Sequence, residues 1–161
     1  MAYLLDADVF IRAKNQHYGF DFCPAFWEWL IDANRRGIVY SIDRVETELI
    51  GLGDDLSDWV RARGAGFFVP ADNAVLPSLR KIAAWAGSQS YEQAAVNIFL
   101  QRADYYLVAH GDARSAAVVT HEVPSPSIKK IKIPDACIGN SVQVMTPFDM
   151  LRLERARFVL S

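Results

Sequence analysis

Cysteine is scarce in this chain: Cys23 and Cys137 are the two in 161 residues, and they form no CxxC. So distant a pair makes no zinc site by itself and reads as two buried thiols in a reducing compartment. An excess of positive charge is also lacking, since 17 Lys and Arg stand against 19 Asp and Glu for a net −2. Proteins that hold a duplex through its phosphates usually carry a strong positive balance, so any grip on a nucleic-acid backbone has to be local. Long apolar runs are missing too. Nowhere do about 18 uncharged apolar residues follow one another, so no membrane span is expected. The opening Met1-Ala-Tyr-Leu-Leu-Asp6 has neither a basic leader nor an apolar stretch of export length, which leads us to expect a cytoplasmic protein. With no internal repeat, low-complexity tract or linker, residues 1–161 read as one domain.

What is present is a globular balance, 52% hydrophobic with 22% charged residues, enough to bury a core. Tyr3-Leu4-Leu5 reads as a buried strand stopped by Asp6. Val9-Phe10-Ile11 starts a short helix that fails before His17-Tyr18-Gly19, and Pro24 opens a helix ended by Gly37. Residues 38–42 read as a β-branched strand, followed by helices from Asp43 to Gly51 and from about Asp54 to Arg63. Residues 66–69 form a short strand closed by Pro70. Helical spacing resumes over 74–86, 91–102 and 105–109, and residues 116–120 read as a strand. Residues 123–134, with three prolines, read as an extended loop. A strand over 142–145 and a helix opened by Pro147 end the chain. Strands alternating with helices predict an α/β protein, a three-layer α/β/α sandwich around a central parallel sheet.

In an open parallel sheet, ligands bind beyond the carboxyl ends of the strands, near the point where strand order reverses. Asp6 ends the first strand, Glu122 follows the strand ending at Thr120, Glu48 lies one turn into the helix after the second strand, and Asp104 opens a helical turn. Singly, each acid is more often a helix cap or a solvated side chain. Jointly, their placement predicts four carboxylates on one rim, a donor set suited to Mg²⁺ or Mn²⁺. The basic clusters are Arg35-Arg36, Arg61 with Arg63, Arg80-Lys81, and the Lys129-Lys130-x-Lys132 run; most such clusters are solvated faces. Lys129, Lys130 and Lys132, beside Glu122, are the candidates for gripping a phosphate backbone. His110 and His121 form no HxxxH pair and give no support to zinc. Contact of His121 with a phosphate or leaving group is a weaker expectation.

Four segments together resemble a known family. Tyr3-Leu4-Leu5-Asp6-Ala7-Asp8-Val9-Phe10-Ile11 is similar to the opening of PIN domains, an apolar strand followed by D-x-N. Ser41 through Glu48-Leu49 resembles their second motif, Ala103-Asp104-x-x-Leu107-Val108-Ala109 their third, and Val119-Thr120-His121-Glu122 their fourth, usually T-x-D. Asp8 and Glu122 depart from the usual residues, and Glu46 competes with Glu48 for the second acid. Ala13-Lys14-Asn15, Tyr18-Gly19-Phe20-Asp21, Cys23-Pro24-x-Phe26-Trp27 and Ile131-Lys132-Ile133-Pro134-Asp135-x-Cys137 resemble a narrower bacterial PIN-like subgroup long left without an assigned function. The resemblance implies a VapC-like, Mg²⁺- or Mn²⁺-dependent endoribonuclease with Asp6, Glu48, Asp104 and Glu122 as catalytic metal ligands. It also implies an RNA substrate, the role of toxin in a toxin–antitoxin pair with a cognate antitoxin protein, and a homodimer.

Two other classes compete. Leu4-Leu5-Asp6-Ala7-Asp8 also resembles the first motif of haloacid-dehalogenase-like phosphatases, in which the first aspartate is a nucleophile and the second a general acid. Ser41 and Lys129 fit that pattern, but His110-Gly111-Asp112-Ala113 lacks its late acidic pair. A catalytically silent binding module is the other, and it gives no reason to gather four acids.

Overall fold

The computed structural model describes residues 1–160. Among them, five short strands form one parallel sheet: β1 (Tyr3–Leu5), β2 (Val39–Ile42), β3 (Phe68–Val69), β4 (Ala117–Val119) and β5 (Val144–Met145). Their order is β3-β2-β1-β4-β5, with Leu4 level with Tyr40 on one side and Val118 on the other. The chain steps outward from β1 through β2 to β3, then returns to the far side of β1 for β4 and β5. The order therefore reverses between β1 and β4, and the crevice beyond their carboxyl ends is where this architecture places ligands. The fold is thus α/β, with helices flanking a central parallel sheet.

The helices are α1 (Ala7–Arg12), α2 (Pro24–Arg35), α3 (Asp43–Ile50), α4 (Asp55–Arg61), α5 (Leu76–Ser88), α6 (Gln93–Gln101), α7 (Ala103–Arg114), α8 (Ile133–Gly139) and α9 (Pro147–Leu153). Local chemistry explains several boundaries. Pro24 stands in the first turn of α2, where its missing N–H costs nothing, and Gly37 follows the helix at φ +75°, a conformation that favours glycine. Asp54 and Ser57 form a reciprocal capping box on α4, as do Thr146 and Asp149 on α9. After α1 the chain widens into a π-type turn over Ala13–His17, closed by the Tyr18 N–H on the Ala13 carbonyl at 2.7 Å. A continuous core that includes Leu5, Phe10, Phe26, Val45, Phe68, Val108 and Val119 fills the space between sheet and helices.

Several elements differ from the sequence reading. The helix expected over 105–109 runs from Ala103 to Arg114, because Gly111 inside it is a packing residue and not a breaker. A Cβ on Gly111 would lie 2.9 Å from Val118 Cγ2 and 3.0 Å from Val142 Cγ1, so the helix backbone rests directly on β4. Ser115, at φ +51°, ends it. The loop expected through Pro134 stops at Lys132, and Pro134 lies in the first turn of α8, a helix that apolar periodicity did not reveal. The last strand is limited to Val144–Met145. Cys137 is buried, whereas Cys23 is only half-buried. Among the described residues, no helix is long and apolar enough to cross a membrane.

Candidate functional site

Two central strands deliver the first acids. Leu5 ends β1, the Asp6 N–H donates to the Val119 carbonyl at 2.9 Å, and the Ser41 hydroxyl donates to the Leu5 carbonyl at 2.6 Å. These bonds fix Asp6 at the carboxyl end of β1, beside β4. Its side chain is 7% exposed. One carboxylate oxygen caps α1 through the Ala7 N–H at 2.7 Å, and the other accepts the Thr120 hydroxyl at 2.8 Å. From the first turn of α1, Asp8 faces the same hydroxyl at 3.3 Å and accepts the His121 N–H at 3.2 Å. Thr120 in turn accepts the Glu122 N–H at 3.1 Å. The Thr120 hydroxyl is therefore the hub that ties the residues after β4 to the acids after β1.

Asp104 enters from the start of α7 and Glu48 from α3. Both border an open depression of about 760 Å³, whose wall also includes Arg44, Thr47 and Arg102. Glu48 is exposed at the lip, while Asp104 is half-buried. Glu122 is half-buried and held: its Oε2 accepts the Ile133 N–H, at the first position of α8, at 2.8 Å. His121 stacks on His17 with ring centres 5.5 Å apart, and Phe148 stands edge-on to both.

The charges show that these acids share one electrostatic environment. Burial pushes the Asp6 carboxyl well above its usual range, the charges of Asp8, Asp104 and Glu122 add to the rise, and the Thr120 hydrogen bond opposes it. Asp104 is pushed up to about 6, first by burial, then by Glu122 and Glu48, with Arg102 and Lys130 opposing. Glu48 is raised by lost hydration and by Asp8, against Arg102. Glu46 is raised too, but by burial and by Asp43, with no part in the cluster. Among the described residues, the ion pairs are Lys14–Asp54, Arg36–Asp32, Arg61–Asp58, Lys81–Asp112 and Arg114–Asp72. None of them includes Asp6, Asp8, Glu48, Asp104 or Glu122.

Asp6 thus feels the charges of Asp104 and Glu122, and Asp104 those of Glu122 and Glu48, but only Glu48 and Asp104 line the depression and the four do not form a ready-made coordination sphere. Among the described residues, no three His, Cys, Asp or Glu side chains stand close enough together to hold a metal ion as they are placed. The donors on offer are carboxylates with one hydroxyl beside them, which suits a hard cation that keeps part of its water. The nearby soft donor is not available, since burial, with Asp6 and Glu122, pushes the Cys137 thiol up to about 12. His110 is fully buried further along α7. Arg114 donates to its Nδ1 at 3.2 Å, and burial, with the Arg114 charge, lowers its pKa to about 4.

Lys129 and Lys130 lie exposed on the loop before α8, bordering a second, smaller hollow beside Arg102. Lys132 is half-buried at the N-cap of α8 and does not line that hollow. Sequence reasoning missed three participants. In the sequence, Thr120 reads as a strand end within a motif, Arg102 as a helix end, and His17 as part of a turn. Arg102 stands two residues before Asp104, a spacing that in retrospect puts a cation beside that acid.

The arrangement defines an α/β protein whose strand-order reversal is crowded with unpaired carboxylates. The chain belongs to the family described as a domain of unknown function (DUF4411), whose model matches residues 3–158. No curated protein and no solved structure matches it.

Proposed function

We propose that this chain is a PIN-like, Mg²⁺- or Mn²⁺-dependent endoribonuclease. The observation that carries the reading is the buried Asp6 at the end of β1, with Asp8, Asp104 and Glu122 acting on it, Glu48 acting on Asp104, and no ion-pair partner for any of them. Carboxylates that raise one another's pKa are relieved either by protonation or by a cation, and near neutral pH a divalent cation does so with all-oxygen ligands. Asp6, Asp104, Glu48 and Glu122 would hold it. Asp6 is the most buried of the four, while Glu48 at the lip and the free oxygen of Glu122 are placed to respond. A cation there supplies Lewis-acid polarisation of a phosphodiester and a more acidic water.

The remaining steps belong to the protein's own residues. Thr120 holds Asp6 in place through its Oδ2. Asp8 fixes the backbone of His121, and so positions that imidazole against His17 and Phe148. The unpaired cations Arg102, Lys129 and Lys130 supply the local positive rim that a chain of net charge −2 needs to approach RNA. Within this reading the protein acts as a homodimeric toxin restrained by a cognate antitoxin.

The test is cleavage of a broad RNA panel by the purified protein with Mn²⁺ and with Mg²⁺, beside hydrolysis of a small phosphate ester. Parent protein should cut RNA only with metal and leave the ester intact, and Asp6→Asn should leave both intact while folding normally. Ester hydrolysis without RNA cleavage would transfer the assignment to a phosphatase. No activity on either, with no metal-induced rise in thermal stability, would make the domain a binding module. Expression of the parent, but not of Asp6→Asn, should slow host growth; if RNA is cut without that effect, the toxin role is lost and the ribonuclease stands.

A further inference from the structure

The small hollow beside the acidic crevice has a composition of its own. It measures about 150 Å³, with a floor of Ala95, Phe99 and Ile131 and with Ile98 at its edge. Its rim carries Arg102, Lys129 and Lys130. Ala95, Phe99 and Ile131 are buried, whereas Ile98 is 52% exposed and so open to a ligand entering the hollow. None of the three cations appears in an ion pair among the described residues. Arg102 also borders the larger depression that holds Glu48 and Asp104. One guanidinium therefore stands between an apolar hollow and a carboxylate-lined crevice.

A ligand that fills both features needs a flat or compact apolar part, an anionic group next to it, and a continuation toward the acids. We infer that this hollow is a nucleotide subsite for single-stranded RNA, in which a base rests on Ile98, Phe99 and Ile131 while Arg102, Lys129 and Lys130 hold the flanking phosphates. The inference rests on the ribonuclease reading of the neighbouring crevice and adds to it where the strand lies and which form of RNA is taken. A base in a duplex has its face covered by its neighbours, so only an unpaired or looped base reaches an apolar floor. The fork of Arg102 suits a phosphate better than a lysine would, and it lines the same hollow as the apolar floor. Arg102 is a binding residue here. Its location sets which phosphate along the strand comes opposite Asp104 and Glu48.

The experiment is anisotropy of a labelled single-stranded RNA, and of the same strand in a duplex, with full-length protein in EDTA at several salt concentrations. Without metal no cleavage intervenes. Parent protein should prefer the single strand. Ile98→Asp, at an exposed position, should weaken single-strand binding about tenfold or more, in line with loss of one stacked or packed base. Arg102→Ala should weaken it comparably and lower the slope of log affinity against log salt by about 0.7, the value for one phosphate on a single strand. Arg102→Lys should restore the slope but not the full affinity. Equal binding of single strand and duplex, or Ile98→Asp binding like the parent while circular dichroism shows both folded, would overturn the subsite. An unlabelled acidic peptide displacing RNA no better than a neutral one is expected; selective displacement by the acidic peptide would assign the hollow to a protein partner instead. Metal-dependent cleavage is scored separately: intact RNA with normal binding removes the nuclease, and cut RNA with unchanged variant binding removes the subsite.

Discussion

Asp6 and Asp112 are both partly hidden aspartates that accept a hydroxyl hydrogen bond, yet their carboxyls move in opposite directions. Asp112, on α7, accepts the Ser78 hydroxyl at 2.6 Å and Lys81 Nζ at 2.7 Å. Burial works against its ionisation, but the two hydrogen bonds and the Lys81 charge outweigh it, and its pKa is lowered. Asp6 accepts the Thr120 hydroxyl at 2.8 Å and a backbone N–H at 2.7 Å, and its pKa still rises well above the usual range. Deeper burial and three neighbouring carboxylates in place of one ammonium make the difference. Asp54 repeats the Asp112 pattern, lowered by Lys14 and by its capping box. Asp112 and Asp54 each meet a lysine of the chain within ion-pair distance, and none of the crevice acids does. That contrast carries the site, more than any single motif does.

The largest test of the contrast is functional. Asp6→Asn keeps the shape and the acceptor oxygen but removes the charge. Outer-shell partners of bound metals commonly cost about 10–100-fold when removed, so loss of the deepest carboxylate should reduce RNA cleavage by more than roughly a hundredfold. The checks are initial rates with Mn²⁺ and circular dichroism of both proteins. Asp112→Asn should leave the rate within about twofold. A similar loss from both would remove the distinction between the two regions.

Next in size is stability without metal. A carboxyl whose folded pKa lies above its unfolded value binds its proton more tightly in the folded state. The folded protein is therefore penalised as pH rises through that interval. For Asp104 the interval runs from about 4 to about 6. His110, lowered to about 4, has the reverse slope: the unfolded chain binds the extra proton between about 4 and 6.5, so stability rises with pH there. In EDTA at pH 7, Asp104→Asn should be more stable than the parent by on the order of 1–2 kcal/mol, after allowing for the helix-terminus attraction it loses. The two should converge below about pH 4. Urea unfolding across pH measures both, and adding Mg²⁺ or Mn²⁺ should narrow the gap by stabilising the parent.

Asp112→Asn should show the opposite sign at about half that size. It loses the charge facing a half-exposed Lys81 and keeps an oxygen for Ser78, so a cost of about 1 kcal/mol at pH 7 is expected. Because its folded pKa is lowered, that contribution is present above about 3.8 and disappears as pH falls through the folded value. An Asn at this position that stabilised the protein would place Asp112 with the crevice acids.

Much of the architecture was open to sequence reading for physical reasons. The strand over residues 39–42 announces itself by β-branched residues between Gly37 and Asp43, and α2 by Pro24 at one end and Gly37 at the other. The identity of the acids at strand ends followed from the same logic. What was not legible depends on contacts between distant segments. Gly111 looks like a helix breaker until β4 is laid against it, and α8 hides behind Pro134 because a proline reads alike in a loop and in a first helical turn. Arg102 looks like an ordinary helix-end cation; only the meeting of α6, α7 and the loop before α8 puts it between two hollows. Spacing along a chain shows which face a residue takes, not which side chain from elsewhere arrives beside it.

Glu122 offers the finest division between the two kinds of acid, because it has a share in both. Its Oε2 accepts the Ile133 N–H at 2.8 Å, a structural duty, while its charge raises both Asp6 and Asp104, a property of the crevice. The extra methylene relative to aspartate is what lets it reach α8 from a backbone fixed by Thr120. Two substitutions separate the duties. Glu122→Asp keeps the charge but draws the oxygen back from Ile133, leaving a helix-terminal N–H without that acceptor. It should cost about 1 kcal/mol in urea unfolding and change metal affinity little. Glu122→Gln keeps an oxygen for Ile133 and removes the charge. It should stay within about 0.5 kcal/mol of the parent in EDTA, yet weaken the metal-induced stabilisation by about tenfold in apparent affinity. Calorimetric titration with Mn²⁺ beside the unfolding curves reads both quantities. If Glu122→Gln binds Mn²⁺ like the parent and only Glu122→Asp is impaired, Glu122 is a cap for α8 and leaves the set of crevice acids to Asp6, Glu48 and Asp104.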